Sequence, residues 1–482
     1  MSVVDPKTFT IDSIERGSRL FFIGIGGISM FGLAQLAVDY GFEVGGSDNH
    51  PNERTEALSS MGIKVFGCQE ANNIDLFKPD FVIRTAAVKD NNVEVIRCRE
   101  QNIQILDRAE FLGALTRSHK SVINISGTHG KTTTTSMTSL MLMEAGIKPT
   151  VHIGAPVPAL DNKTVILGEG RDLLVSEACE FNRSFYEFTS TTAAITNVDH
   201  DHLDIYPLLQ DVIEAFSVFI TKVKDNGNLV ITKGDKNIVS AIDMAKAEFE
   251  KEGRTFPRIV TCGRGEYEDA DFAAKNIVFD GGHPTFDLYI YGEKAGSISL
   301  CIPGSHNIDN CLIAAACAYL NGADASSVCR ALDGFTGAEG RYTIKGQYKG
   351  CDVVVDYAHH PAAARATIEA ASNMPHGDIL VIFQPLTYYR VKVLFEDYVN
   401  TLLPCKKVLF GEVYSDREDS DYGVSSKDLS DEINRRGGDA EFYKNKMDII
   451  PRIDELIKPG DIILILGPED IRELGDILCH KG

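Results

Sequence analysis

Residues 121–146, SVINISGTHGKTTTTSMTSLMLMEAG, pass from an apolar run through a glycine loop directly into a helical pattern. No other segment constrains the fold as strongly. A strand that turns at once into a helix aims backbone N–H groups and the positive end of the helix dipole at one point outside the sheet. Units of this kind assemble into parallel sheets covered by helices on both faces. The loop Gly127, Thr128, His129, Gly130, Lys131, Thr132 and Thr133 therefore reads as a phosphate cradle. Lys131 would contact β- and γ-phosphates, and the Thr132 hydroxyl would face Mg²⁺. The general phosphate loop has two more residues between its glycines. The competing reading is an ordinary strand-to-helix turn with a surface lysine.

The same strand–helix alternation recurs on either side. LFFIGIGG (20–27), FEVGGSD (42–48), IKVF (63–66), DFVIRTA (80–86) and IQIL (103–106) read as strands of a first unit. A polar stretch around Arg117 to Lys120 is its expected linker. The second unit continues through DLLVSEA (172–178), AAITNVD (193–199) and a helix from about Leu208 to Val223. Its region 255–300 alternates with turn residues and predicts antiparallel hairpins. From Phe335 onward, CDVVVDYA (351–358), DILVIFQP (378–385), KKVLFGEVY (406–414), AEFYK (440–444) and DIILILG (461–467) are strands separated by helical patterns. With 482 residues and roughly 150 per domain, three α/β domains are expected: 1–118, 119–335 and 336–482.

Composition narrows the class. A net charge of −21 argues against a nucleic-acid binder, which needs a basic stripe. No basic-then-apolar leader opens the chain, and no run approaches the roughly 18 apolar residues of a membrane span. The 11 cysteines form no CxxC pair, which fits a reducing cytoplasm and small buried side chains.

Further polar groups gather at predicted strand ends, where open α/β sheets bind ligands. GIGGISMFG (24–32), followed by Asp48, is a second anion-binding loop or a packing turn; Ser29 stands where a dinucleotide fingerprint needs glycine. Glu177 and the DHDHLD segment (199–204) offer a carboxylate and imidazoles for a hard cation, with His200 and His202 raising zinc or manganese as options. HNIDN (306–310) either caps the apolar helix it opens or meets a purine. VVVDYAHHP (353–361) ends a buried strand in Asp356, Tyr357, His359 and His360, and Arg341 lies at the boundary of the second and third units.

In this order, these motifs resemble the Mur ligases of bacterial cell-wall synthesis over essentially the whole chain. The first-unit loop is similar to the branch that joins L-alanine to UDP-N-acetylmuramic acid. The resemblance implies a Rossmann-like N-terminal domain, a central ATPase domain with a mixed sheet, and a doubly wound C-terminal domain closing as a lid. ATP would phosphorylate the muramyl carboxylate, and the amino acid would attack the acyl phosphate. Lys131, His359, Arg341 and His202 would be catalytic, and Thr132, Glu177 and His202 would hold one or two Mg²⁺ ions. His306, Asn310, Asp356 and Arg341 would join the 127–133 loop at ATP. Gly24, Gly26, Gly27, Ser29, Met30 and Asp48 would hold the UDP-sugar. Tyr357, His359, His360 and Arg390 would line the amino-acid site.

The chain departs from the family pattern at four places: Gln69 in a first-domain GH element, Gly340 where an arginine precedes Arg341, Leu386 for a polar residue, and GPED (467–470) for a small-residue turn. A ligase for another amino acid or a preformed peptide is the alternative within the class. A non-catalytic nucleotide-binding paralogue and an NAD-dependent dehydrogenase stand outside it; the second leaves the Lys131 loop unexplained.

Overall fold

Apolar runs buried on both faces become strands of three sheets in the computed structural model, which describes residues 4–415, 418 and 420–481. The first sheet holds β1 (Arg19–Ile23), β2 (Glu43–Ser47), β3 (Lys64–Phe66), β4 (Phe81–Arg84) and β5 (Gln104–Asp107). Its order is β3-β2-β1-β4-β5, all parallel, the doubly wound arrangement of a Rossmann-like domain.

The central sheet is mixed. It comprises β6 (Ser121–Ser126), β7 (Thr150–Val157), β8 (Lys163–Ile166), β9 (Leu173–Glu177), β10 (Ser190–Ile195), β11 (Val223–Thr232) and β12 (Arg258–Arg264). It continues through β13 (Phe272–Asp280), β14 (His283–Ile290) and β15 (Glu293–Ser299). The order is β15-β14-β13-β12-β11-β10-β6-β9-β7-β8. The antiparallel expectation for 255–300 holds only from β13 onward: β12 runs parallel to β11 and to β13. The helix Lys236–Glu252 carries the chain back across the sheet before β12, so that strand belongs to a βαβ unit.

The third sheet has β16 (Thr343–Tyr348), β17 (Cys351–Asp356), β18 (Ile379–Phe383), β19 (Lys407–Gly411), β20 (Ala440–Tyr443) and β21 (Ile462–Leu466). Its order is β16-β17-β21-β18-β19-β20, with only β16 antiparallel.

The helix Lys131–Glu144 is made of poor helix formers, KTTTTSMTSLMLME, yet nearly all of it is buried. Its hydroxyls are satisfied locally: Thr135, Ser136, Thr138 and Ser139 each donate to the carbonyl four residues back at 2.7–2.8 Å. Met137, Met141 and Leu142 then pack with Ile308, Cys311 and Leu312 of the helix His306–Leu320 in one cluster.

The first two sheets share a contiguous apolar core in which Phe22, Leu33 and Phe111 join Phe185, Phe216 and Phe219. The expected linker at 117–120 is accordingly a brace. Arg117 donates to the carbonyls of Phe9, Pro6 and Glu187 at 2.8–3.0 Å. The third sheet has clusters of its own, to which the central unit contributes Leu203. All 11 cysteines are free. Cys98, Cys262, Cys311, Cys317 and Cys351 are buried as expected, whereas Cys68 and Cys301 are exposed.

The helix Ile28–Asp39 lies against β8 so closely that a Cβ on Gly32 would meet Val165 Cγ2 at 2.3 Å. Valine is stiff at χ1 and cannot swing clear. Gly32→Ala should therefore destabilise the protein by about 1–3 kcal/mol in urea unfolding, although alanine is the better helix former by about 1 kcal/mol. A stabilised variant would refute the close approach.

Candidate active site

Every backbone turn of the 127–133 loop is held by its neighbours. Gly127 has φ +134°, and a Cβ there would sit 1.9 Å from Thr196 Oγ1. Gly130, at φ +85°, caps the helix Lys131–Glu144, and its Cβ would meet Asn310 Oδ1 at 2.3 Å. Both positions need glycine for conformation and for space. Asn197, just past β10, clamps the loop from the side: its amide accepts from His129 N–H at 2.9 Å and donates to His129 O at 3.0 Å.

Lys131 Nζ donates to the Gly127 carbonyl at 2.5 Å and lies 2.8–3.0 Å from the Glu180 carboxylate. Burial pushes the ammonium toward neutrality, but Glu180 overrides it and holds the lysine charged. Burial likewise opposes ionisation of Glu180, and Lys131 overcomes it. Thr132 donates to both Glu177 oxygens at 3.0–3.1 Å, and Gly154 N–H of β7 donates to Glu177 Oε2 at 2.8 Å. His202 Nε2 lies 3.4 Å from Glu180 Oε1, so it reaches this cluster through Glu180 rather than Glu177. Its backbone is left-handed, φ +52°, a conformation that costs about 1 kcal/mol or more and collects at functional sites.

These groups line a cavity of about 650 Å³ that also takes in His306, Asn310, Arg341, Asp356, Tyr357, His359, His360 and Arg390. All the predicted nucleotide, amino-acid and metal residues line it except Gly127, which lies beneath. HNIDN does not cap its helix: the N-cap is Ser305, without a side-chain bond. Asn307 instead donates to Pro303 O at 2.7 Å, and Asn310 donates to Asn307 at 3.1 Å. Asp356, buried at the end of β17, accepts from Thr367 at 2.9 Å. Burial raises its pKa, with Arg341 and Thr367 opposing.

Arg390 is where sequence and structure diverge most. It was expected to grip a substrate carboxylate, but its Nε and Nη2 donate to Asp201 Oδ1 at 3.0 and 2.5 Å. Nη1 donates to Leu386 O at 3.0 Å. Both members of the pair are under a tenth exposed. Burial penalises the Asp201 charge and Arg390 reverses this, leaving its pKa well below the usual carboxylate range. Asp201 also accepts from His202 N–H at 2.6 Å. Sequence reasoning missed Glu180 and Asn197, which follow the ends of β9 and β10 by three and two residues, and gave Asp201 no role of its own within the DHDHLD segment.

His200 turns away to Tyr206 O at 3.1 Å, so the 200/202 pair does not converge. The imidazoles of His129 and His360 and the Asp199 carboxylate do, with ligand atoms within 4.8 Å of one another. His360 caps the helix Pro361–Ser372 and reaches His200 O at 3.2 Å.

The first-domain loop lies outside this cavity. Gly24 has φ +81°, Gly26 N–H donates to Asp48 Oδ2 at 2.9 Å, and Met30 is buried, so Asp48 braces the loop. Beside Gly27, Ser29 Oγ meets His152 Nε2 of β7 at 3.0 Å. Strand β7 thus touches the sugar-loop candidate at His152 and the Glu177 carboxylate at Gly154. Gln69 bonds Asn49 and Asn92, and Leu386 is buried.

Three α/β sheets with a glycine–lysine loop lining a polar cavity set the frame, and sequence comparison gives the class. Residues 19–120 match the Mur ligase family catalytic domain, 125–318 the Mur ligase middle domain and 340–468 the Mur ligase glutamate ligase domain. The chain belongs to the Mur ligase family. It is 36% identical over 466 residues to the UDP-N-acetylmuramate–L-alanine ligase of Clostridium novyi, covering 97% of this chain and 98% of that one. Identity to the same-named protein of Caldanaerobacter subterraneus is 38% over 470 residues, covering 97% and 99%. The UDP-N-acetylmuramate-alanine ligase structure from Thermotoga maritima superposes with TM-score 0.76 at 27% identity, covering 96% and 98%.

Two predictions follow from the charges. Asp201→Asn leaves Arg390 buried without an anion, which costs about 3–5 kcal/mol. Urea unfolding should show that loss, and an unchanged midpoint would mean the pair is dispensable. Burial holds the His360 pKa down at about 4. The unfolded chain binds this proton near pH 6.5 and the folded chain does not, so stability falls as pH drops from 6.5 to 4. His360→Asn, which keeps the cap acceptor, should remove about 3 kcal/mol of that acid-induced loss between pH 7 and 4.

Proposed function

We propose that the protein is an ATP-dependent ligase joining L-alanine to the carboxylate of UDP-N-acetylmuramic acid through an acyl phosphate, in peptidoglycan precursor synthesis. The observation that carries this reading is the convergence of Lys131, Thr132, Glu177 and His202 with Asp356 and His359 on one cavity. Lys131, kept charged by Glu180, neutralises the phosphoryl group in transit and holds it in line with the sugar carboxylate. Asn310 and His306 flank the loop on the nucleotide side, and Asp356 offers its carboxyl toward the ribose. Arg341 adds positive charge from the third domain.

The donors fit Mg²⁺: a carboxylate and a hydroxyl already in contact, Glu177 and Thr132, with His202 one residue from the Asp201 anchor. Bound there, the ion would screen phosphate charge. His359 is half-buried, and its pKa is pushed well below normal, first by desolvation and then by Arg390. It is therefore neutral and able to hydrogen-bond the incoming amino group and orient it toward the acyl carbon. Its Nδ1 bonds Tyr357 O at 2.8 Å, which leaves Nε2 as the basic atom. Closure of the third domain over the loop excludes water from the acyl phosphate. With Arg390 committed to Asp201, the amino-acid carboxylate meets the remaining polar wall of Tyr357 and His360, and Leu386 and Ala358 supply an apolar patch for a methyl group. One methyl is worth only about 1–3 kcal/mol, so glycine should compete measurably.

The test is phosphate release by purified protein with Mg²⁺–ATP and UDP-N-acetylmuramic acid across single amino acids. Release that needs both the sugar and L-alanine, with a product heavier by one alanine residue, is the expected result. Release only with a preformed peptide would transfer the reading to a peptide ligase. In the same assay Lys131→Ala should lose ligation by at least about a hundredfold while UDP-sugar binding stays intact; near-normal turnover would remove Lys131 from its role.

A further inference from the structure

One cation outside the residues already assigned packs against Tyr357 of this site with only a long, exposed ion pair to Glu469 among the described residues. Arg472 belongs to the helix Glu469–Lys481, just after the GPED turn, and its guanidinium packs over the Tyr357 ring at 5.3 Å. Arg341 packs over the same ring at 5.0 Å. Tyr357 N–H donates to Gly340 O at 2.9 Å, so Gly340, Arg341, Tyr357 and Arg472 form one knot.

Gly340 is what makes room for it. An ideal Cβ on Gly340 would stand 2.1 Å from Arg472 Nη1. The guanidinium thus occupies the volume into which a side chain at 340 would grow. Two of the four departures from the family pattern, Gly340 and the GPED turn that presents Arg472, meet at this point.

The guanidinium is poorly compensated. Its side chain is only 15% exposed, and its sole ion-pair partner among the described residues is Glu469, 3.9 Å away and 78% exposed. Nε is buried with no hydrogen bond. Arg341 makes no carboxylate ion pair among the described residues; its Nη1 bonds Gly340 O at 3.1 Å. Burial and then Arg341 both disfavour the Arg472 charge. Two adjacent guanidiniums with unspent donors are arranged for an anion that is not part of the chain.

We propose that Arg472 is a positioning residue for the nucleotide: from the space left by Gly340 it holds Tyr357 and directs Arg341 to the polyphosphate. The ligand class is a nucleoside triphosphate. The inference rests on the function proposed above for the adjoining cavity.

The test measures calorimetric binding of a non-hydrolysable ATP analogue with Mg²⁺, alongside binding of UDP-N-acetylmuramic acid. Arg472→Met keeps the apolar stem on Tyr357 and removes the charge. It should weaken the nucleotide about tenfold and leave the sugar within about twofold. Gly340→Arg should be harmful alone, because its Cβ meets Arg472 and, to a smaller extent common to both backgrounds, because its backbone lies at φ +70°. Combined with Arg472→Met it should recover nucleotide affinity, because a guanidinium then enters the same space from the opposite side. Unchanged nucleotide affinity in Arg472→Met, or equal harm from Gly340→Arg in both backgrounds, would overturn the proposal. Wild-type protein that binds the nucleotide but releases no phosphate would count against the ligase reading alone.

Discussion

A chain of ion pairs and close polar contacts joins the 127–133 loop to the third domain. Lys131 meets Glu180, Glu180 meets His202, and the next residue, Asp201, takes Arg390. None of these groups is stable in a low-dielectric interior alone; each is tolerated because its neighbour carries the opposite charge or a hydrogen bond. The arrangement fixes Lys131, His202 and the docking of the C-terminal sheet at one time. Strained backbone at His202, Tyr342 and Thr387 borders the same junction, where the surrounding contacts hold it.

The three sheets are unequal partners around these contacts. The first and second are joined by hydrocarbon packed continuously from one to the other, and Gly32 brings helix and strand to backbone-like distance. The third keeps its own core and meets the central unit through Arg390, His360 and Leu203. Such a polar seam can open without exposing a large apolar surface.

Much of this was legible in the chain because it is local. A loop that must bind an anion needs glycine, a following helix and a lysine, and all three lie within seven residues at 127–133. Strands β17, β18, β19 and β21 of the third sheet could be read because both of their faces are buried. What escaped was set by distant neighbours. Strand β8 is short and β16 largely open to solvent, and β12 was misread because the 17-residue helix before it was not recognised. Arg390 looked free beside a carboxylate site, since nothing local announces that Asp201, 189 positions earlier, faces it. Arg472 gave no signal at all until Gly340 was seen to leave it space.

The continuous core of the first two sheets also bears on how the chain matures. A ribosome delivers residues 1–118 well before Phe185, Phe216 and Phe219, yet the helix Arg108–Arg117 buries its apolar face against a cluster containing them. The nascent N-terminal segment therefore waits, part of its greasy side uncovered, through the synthesis of about a hundred further residues. Its companion on the path to the native state is the middle of its own chain, and until that arrives it is a natural client for chaperones.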